Sequence, residues 1–134
     1  MYKKLFILTL IGLISATSAY ATCDGGTEET GKSGSFCVSN VSMNWWTAAA
    51  WCKANGMHLP TMYELCPSWD GNTGSEKCPE LSGTGNVIVW TSTVAESMYA
   101  FNVELNSGYV HGAYGGDNRD HSRSQKGSRY AICR

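Results

Sequence analysis

Apolar residues in the first half of the chain recur with the spacing of one helix face. Four of them stand at positions i, i+3, i+4 and i+7, namely Trp45, Ala48, Ala49 and Cys52. That spacing predicts a helix over residues 42–56 with these side chains turned inward. Asn44 is a suitable N-terminal cap, and Gly56 stands where a left-handed residue commonly ends a helix.

A second, short helix is predicted after Pro60. Thr61 and Glu64 have the spacing of a capping box, in which the threonine hydroxyl accepts from the Glu64 amide and the carboxylate accepts from the Thr61 amide. The sequence Cys66-Pro67 then ends the helix. Glu64 is therefore interpreted as a structural group first and as a catalytic candidate only second.

The second half of the chain changes to strand-like patterns. Residues 86–92 are β-branched and apolar, residues 98–105 alternate in part, and residues 109–111 and 128–134 complete the predicted strands. Two helices followed by several antiparallel strands predict an α+β domain. The polar residues 112–127 have no core-forming pattern and are predicted to form a long loop.

The N-terminus has the three parts of a secretory signal peptide. Two lysines precede an apolar run over residues 5–14, and Ala19-Tyr20-Ala21 matches a small-residue cleavage site. The run is too short for a transmembrane helix, and no second such run follows. We expect residues 1–21 to be removed and residues 22–134 to form one exported domain, periplasmic or extracellular, with no membrane span.

An even number of cysteines follows the expected cleavage point, and these are Cys23, Cys37, Cys52, Cys66, Cys78 and Cys133. In an oxidising compartment this count predicts three disulfides. A metal site would need close C-x-x-C pairs, and the sequence has none. Two turn-rich stretches, residues 25–31 and 70–74, are each bracketed by two cysteines. The first stretch looks like a hairpin turn. The bracketing favours the pairs Cys23–Cys37 and Cys66–Cys78, which leaves Cys52 with Cys133.

Length and charge limit the possible functions. A chain of 134 residues, 43% hydrophobic, suits one domain and is too short for a (β/α)8 barrel. Its net charge of -1 directs it to neither nucleic acid nor membranes. The charge is uneven, however. Residues 22–105 hold three basic and nine acidic side chains, whereas residues 106–134 hold five basic and two acidic ones.

The candidate ligand-binding residues lie in and beside the polar loop, and they are Tyr109, His111, Tyr114, Asp117, Asn118, Arg119, Asp120, His121, Arg123 and Lys126. Guanidinium groups match the geometry of sulfate and carboxylate, and aromatic faces can stack on sugar rings. The alternative is that the loop arginines pair with the loop aspartates on a solvated surface. We expect no nucleic-acid partner, because the basic segment is short and the whole chain is negative.

Neither a metal site nor a catalytic site stands out. Asp117, Asn118 and Asp120 offer oxygen ligands to calcium, but Arg119 weakens that site and no full ligand set is present. We therefore expect no cofactor. The histidines have neither metal-ligand spacing nor a G-x-S-x-G partner, and Glu96 and Glu104 are not distinguished as a catalytic pair. The chain is expected not to be an enzyme, and a small secreted hydrolase is the remote alternative.

The order of these features resembles the C-type lectin-like fold. The residues that carry it are Met43-Asn44-Trp45, Ala48, Cys52, Gly56-Met57-His58-Leu59, Trp90-Thr91-Ser92 and Tyr130-Ala131-Ile132-Cys133. Three stretches are more similar to a bacterial branch, the DUF1566 group, which includes the C-terminal domain of the Legionella collagen-like adhesin: residues 59–65, 89–93 and 129–133. The resemblance covers residues 23–134 and rests on the order and spacing of the motifs, since no single one is specific.

The resemblance implies two helices packed on antiparallel strands, with the chain ends held together by Cys52–Cys133. It also implies an N-terminal hairpin closed by Cys23–Cys37 and a ligand-binding region in the loop before the last strand. The chain departs from the sugar-binding animal lectins, because it has no Glu-Pro-Asn, Gln-Pro-Asp or Trp-Asn-Asp. Calcium-dependent monosaccharide binding is therefore not expected.

The favoured function is a non-enzymatic, exported binding module, adhesin-like, in which residues 106–128 recognise a polysaccharide or a cell-surface protein. The polysaccharide could be anionic or sulfated, to match the basic segment. The alternative is a structural or assembly subunit of a cell-surface structure that makes protein–protein contacts, with Trp46 and Trp69 as exposed anchors.

Overall fold

The computed structural model describes residues 21–71, 77–96, 99–111 and 128–134. In chain order, the helices and strands of this part are β1 (Gly26–Gly31), β2 (Gly34–Met43), α1 (Trp45–Ala54), α2 (Met62–Leu65), β3 (Ile88–Glu96), β4 (Tyr99–Glu104), β5 (Val110–His111) and β6 (Arg129–Cys133). The domain is α+β, as the sequence predicts. Apart from Ala21, the expected signal peptide lies outside the described residues.

The six strands form one sheet in the order β1-β2-β6-β3-β4-β5. Neighbours are antiparallel except β3 and β6, which run parallel with Val89 opposite Tyr130. The prediction of purely antiparallel strands is therefore wrong, and the sheet is mixed. The reason is that the last strand enters the centre of the sheet. There β6 lies between β2 and β3, antiparallel to β2 and parallel to β3.

The N-terminal hairpin differs from its prediction in the position of its turn. Residues 25–31 were expected to be the turn, but residues 26–31 form β1 and pair with β2, with Gly31 opposite Gly34. The turn is Lys32-Ser33. The polar Thr and Glu side chains of β1 are tolerated in a strand because β1 is at the edge of the sheet, where charged residues also discourage further strand pairing. The hairpin precedes both helices.

Helix α1 is shorter than the predicted range of 42–56. It begins after Asn44, whose Oδ1 accepts a 2.8 Å hydrogen bond from the Thr47 amide, as predicted for the cap. Ser42 and Met43 belong to β2 instead, because they pair with β6. Asn55 caps the C-terminus and Gly56 follows with a φ of 72°, so its predicted left-handed conformation is confirmed.

The sheet separates two hydrophobic clusters. On one face, α1 buries Ala48 and Cys52 against Trp90, Ala131 and other residues of the sheet. On the other face, Met62 and Leu65 of α2 pack with Leu81 and with strand residues such as Val89 and Ile132. Consecutive residues of β3 and β6 belong to opposite clusters, as the two-residue period of a strand requires.

Three disulfides, Cys23–Cys37, Cys52–Cys133 and Cys66–Cys78, confirm the predicted pairing. Cys37 and Cys133 are register partners in β2 and β6, so two of the disulfides anchor adjacent strands. Within residues 21–71, 77–96, 99–111 and 128–134, no helix has the length and apolar character to cross a bilayer.

The two tryptophans that were expected to be exposed anchors differ in their exposure to solvent. Trp46 is 49% exposed, as expected. Trp69 is only 8% exposed, and its ring lies 4.9 Å from that of Tyr63 and 5.0 Å from that of Phe101. The prediction for Trp69 is wrong because this residue belongs to the core beneath α2 rather than to the turn-rich surface that follows it.

Candidate functional site

The candidate site begins at strand β5, where the chain enters the predicted recognition loop. Of the ten predicted ligand-binding residues, Tyr109 and His111 are described. The other eight, Tyr114, Asp117, Asn118, Arg119, Asp120, His121, Arg123 and Lys126, lie outside the described residues, as does the calcium alternative that rested on three of them. The geometry of the site is therefore that of its first two residues and their neighbours.

A tight turn between β4 and β5 positions Tyr109. The Ser107 hydroxyl donates to the Glu104 carboxylate at 2.6 Å and accepts from the Tyr109 amide at 3.1 Å. The Glu104 amide in turn donates to the Tyr109 carbonyl at 2.9 Å. These three hydrogen bonds hold the backbone on both sides of the turn. They therefore fix the position of Tyr109 just before β5.

Both the backbone conformation at Gly108 and its close approach to Cys78 require glycine in this turn. The φ of Gly108 is 74°, a conformation that favours glycine. Its carbonyl accepts a 2.6 Å hydrogen bond from the Cys78 amide, which brings the two backbones together. A Cβ atom built at this position would overlap the Cys78 carbonyl oxygen. The close approach of the two backbones ties the site to the Cys66–Cys78 disulfide.

We expect Gly108→Ala to lower the free energy of unfolding by clearly more than the about 1–2 kcal/mol that a left-handed alanine costs. The additional loss comes from the overlap with Cys78. Gly83→Ala is the matched control, because Gly83 has a φ of 79° but nothing within 4 Å of the added Cβ. Urea denaturation of both variants measures the difference. Equal losses would contradict the requirement for a close backbone approach.

Tyr109 and His111 come together at the edge of the sheet. Their ring centroids are 4.8 Å apart, and the planes meet at 69° in an edge-to-face arrangement. This geometry is favourable for aromatic pairs. Both residues are half-buried. The pair offers an aromatic surface and the polar groups of a phenol and an imidazole, which suit the recognition of a hydroxyl-bearing ligand.

Asn102 is a neighbour of this pair that the sequence analysis did not select. It is the register partner of His111 on β5 and of Trp90 on β3, so the three side chains form one row on the face that α1 covers. Asn102 is 1% exposed, and its Nδ2 has no hydrogen-bond partner in the described part of the chain. The available signal was a single polar residue inside the apolar run of residues 100–103.

Among the basic residues at the end of the chain, the two that the structure describes lie apart. Arg129 and Arg134 are the two that the structure describes, and they lie at opposite ends of β6, about 16 Å apart along an extended strand. Arg134 donates from Nη1 to the Glu64 carbonyl at 2.8 Å and from Nη2 to the Ser33 carbonyl. It therefore acts as a structural bridge between α2 and the N-terminal hairpin.

His58 and Glu64 form an exposed pair that serves the fold. His58 Nε2 lies 2.6 Å from Glu64 Oε2, while Glu64 Oε1 accepts from the Thr61 amide in the predicted capping box, which is confirmed. Partial burial works to raise the pKa of Glu64, but the hydrogen bonds from His58 and Thr61 outweigh it and lower the pKa. A carboxylate with both oxygens engaged in this way stabilises a helix start, in agreement with its structural interpretation.

One group of side chains among the described residues has the composition of a metal site, and it consists of Cys66, Cys78 and Glu80. The two cysteines are joined in a disulfide, so neither offers a thiolate. The Glu80 carboxylate instead accepts a 3.2 Å hydrogen bond from the Ser68 amide. Burial works to raise the pKa of Glu80, but hydrogen bonds from Ser68 and the charge of Lys32 lower it. These residues do not fit a metal ion while the disulfide is intact.

No protein-family model, curated protein or solved structure matches this chain.

Proposed function

We propose that the protein is a non-enzymatic binding module, exported through the secretory pathway, that recognises an anionic polysaccharide through residues 106–128. The observation that carries the proposal is the Tyr109–His111 pair, whose rings lie 4.8 Å apart at the point where the chain enters this segment. The aromatic pair supplies a surface for a sugar ring. Arg119, Arg123 and Lys126, which follow in the sequence, supply charge for sulfate or carboxylate groups.

The scaffold supports export and binding. Its three disulfides suit an oxidising compartment. The turn that positions Tyr109 is fixed by side-chain and backbone hydrogen bonds and by Gly108, so part of the binding surface is pre-organised before a ligand arrives. Pre-organisation increases affinity because less conformational freedom is lost on binding.

The test is binding of the purified protein to immobilised heparin, an anionic polysaccharide, at low and high salt. We expect Arg119→Ala/Arg123→Ala to weaken binding at low salt by at least about tenfold, because hydrogen bonds between charged groups are stronger than neutral ones. Lys32→Ala/Lys53→Ala is the matched control. It removes the same charge from exposed positions on the hairpin turn and on α1.

Two outcomes would contradict the proposal. One is heparin binding that the arginine variant leaves unchanged, and the other is an equal loss in the lysine control, which would indicate non-specific attraction. Binding should also fall as salt rises, because exposed charges are screened.

A second candidate function is a subunit of a cell-surface assembly that contacts other proteins. The observation that favours it is the exposure of two large apolar side chains at the end of β2 and the start of α1, Val41 at 64% and Trp46 at 49%. Exposed tryptophan is enriched where proteins bind one another. A Trp46→Ser variant that leaves crosslinking to partner proteins unchanged would exclude this candidate.

A further inference from the structure

A cleft of about 290 Å³ lies beside the N-terminal hairpin, on the sheet face opposite the Tyr109–His111 pair. We call it the hairpin cleft. Its polar rim consists of Thr27, Glu29, Asn40 and Asn86, its floor includes Val38 and Val87, and Tyr130 of β6 forms one wall. We propose that the hairpin cleft binds one neutral sugar ring, at a site separate from Tyr109 and His111.

The cleft exists because β2 bulges next to β6. Val38 is opposite Ile132 and Ser42 is opposite Tyr130, so three residues of β2 face a single residue of β6. The Ser39 hydroxyl bridges the irregularity, since it accepts from the Ala131 amide at 2.9 Å and donates to the Val41 carbonyl at 2.7 Å. Bulges of this kind redirect side chains and are common next to binding sites.

The bulge brings Asn40 to the rim in a fixed position. The backbone N–H of Asn40 donates to the Gly25 carbonyl at 3.0 Å, and the side-chain Oδ1 accepts from the Thr27 hydroxyl at 3.0 Å. The side-chain oxygen accepts this one hydrogen bond and has a second lone pair, so Asn40 offers a ligand one acceptor position and the two N–H donors of its Nδ2. Asn86, exposed across the cleft, adds a second amide.

The chemistry of the lining suits a sugar. The ring of a pyranose carries hydroxyl groups that both donate and accept, and the amides of Asn40 and Asn86 and the carboxylate of Glu29 provide the complementary acceptors and donors. Its C–H face is apolar, and it matches the ring of Tyr130 and the aliphatic floor. The volume lies at the lower end of the roughly 300–1,000 Å³ of small-molecule sites, which corresponds to one ring rather than a chain.

The charge of the residues that line the cleft determines which class of sugar it binds. Among the residues that the structure describes, Glu29 is the one charged side chain that lines the cleft, and no lysine or arginine of this part lines it. A sulfated or carboxylated sugar would bring a like charge close to Glu29, which is unfavourable. The hairpin cleft therefore selects neutral rings, in contrast to the anionic polysaccharide proposed for residues 106–128.

The test uses the full exported protein and methyl glycosides of glucose, galactose and mannose as neutral probes, with glucuronate as the anionic probe. In two-dimensional NMR spectra, we expect a neutral glycoside in the millimolar range to shift the side-chain amide signals of Asn40 and Asn86. Glu29→Ala should weaken that binding about tenfold or more, because it removes a charged acceptor.

Glu28→Ala is the matched control. Glu28 has the same charge and is the next residue of β1, but it points to the opposite face of the hairpin. We expect this control and Arg119→Ala/Arg123→Ala to leave glycoside binding unchanged, so failure of the heparin experiment would not affect this one. Three results would overturn the proposal: no neutral probe shifts these amides, glucuronate binds as well as the neutral probes, or Glu28→Ala weakens binding as much as Glu29→Ala.

Discussion

Replacing Cys52 and Cys133 together with alanine should lower the free energy of unfolding by about 4.5 kcal/mol, the largest effect expected for any single crosslink in this chain. The disulfide joins α1 to β6 across 81 residues, and a long loop loses the most entropy in the unfolded chain when it is closed. Because domains of this size are stable by about 5–15 kcal/mol, this loss would remove between about a third and nearly all of the stability.

The Cys23→Ala/Cys37→Ala variant is the control for this prediction. It removes a crosslink that spans only 14 residues, for which the same entropy model gives about 3 kcal/mol. Urea unfolding followed by circular dichroism measures both losses. If the short crosslink costs as much as the long one, the stabilisation does not come from loop closure. Native-state strain or local packing would then explain it.

Trp90→Ala should destabilise the domain by about 3–5 kcal/mol, as removal of a large buried ring usually does. Trp90 is fully buried between the sheet and α1, and its Nε1 donates to the Met43 carbonyl at 2.9 Å. The substitution thus creates a cavity and leaves the partly buried Met43 carbonyl without this donor. Thermal or urea unfolding of the variant measures the loss.

Two other variants separate these causes. Trp90→Phe retains most of the ring but not the donor, so we expect it to cost less than Trp90→Ala and more than the about 1 kcal/mol of a single hydrogen bond. Trp46→Ala removes an equally large ring that is 49% exposed, and its cost should be markedly smaller. Similar losses of stability for Trp46→Ala and Trp90→Ala would contradict the burial of Trp90 in the core.

These predictions and the candidate site depend on different parts of the molecule. Trp90 and the Cys52–Cys133 disulfide lie between α1 and the centre of the sheet. Tyr109 and His111 lie at its β5 edge, and the hairpin cleft lies near the opposite edge and on the other face. Substitutions at either proposed binding surface should therefore change binding without unfolding the protein, and this makes the binding experiments interpretable.

The features that were predictable from the sequence are local. The Asn44 cap, the Thr61–Glu64 capping box and the left-handed Gly56 each depend on residues within one or two turns of the chain. The starts of β3, β4, β5 and β6 were predicted to within two residues, but the end of β3 was placed four residues too early and β2 was not predicted. The disulfide pairing followed from turn-rich stretches between cysteines and from the one pair that remained.

The incorrect predictions concern residues whose state depends on distant partners. Residues 26–31 have a polar, glycine-flanked composition that is typical of a turn, yet they form an edge strand because β2 pairs with them. Trp69 follows a helix end and precedes a turn-rich stretch, yet Phe101 of β4 and Tyr63 bury it. In both cases the tertiary environment overrides the local preference.

The sequence by itself determined the class of the domain, the caps of its helices and its three crosslinks, because caps, periodicity and cysteine spacing act over short stretches of chain. The tertiary structure alone decided that the last strand lies in the centre of a mixed sheet, that Asn102 joins Tyr109 and His111, and that Glu29, Asn40, Asn86 and Tyr130 line one cleft. Those arrangements join residues up to about a hundred positions apart, and only the packing of both sheet faces brings them together.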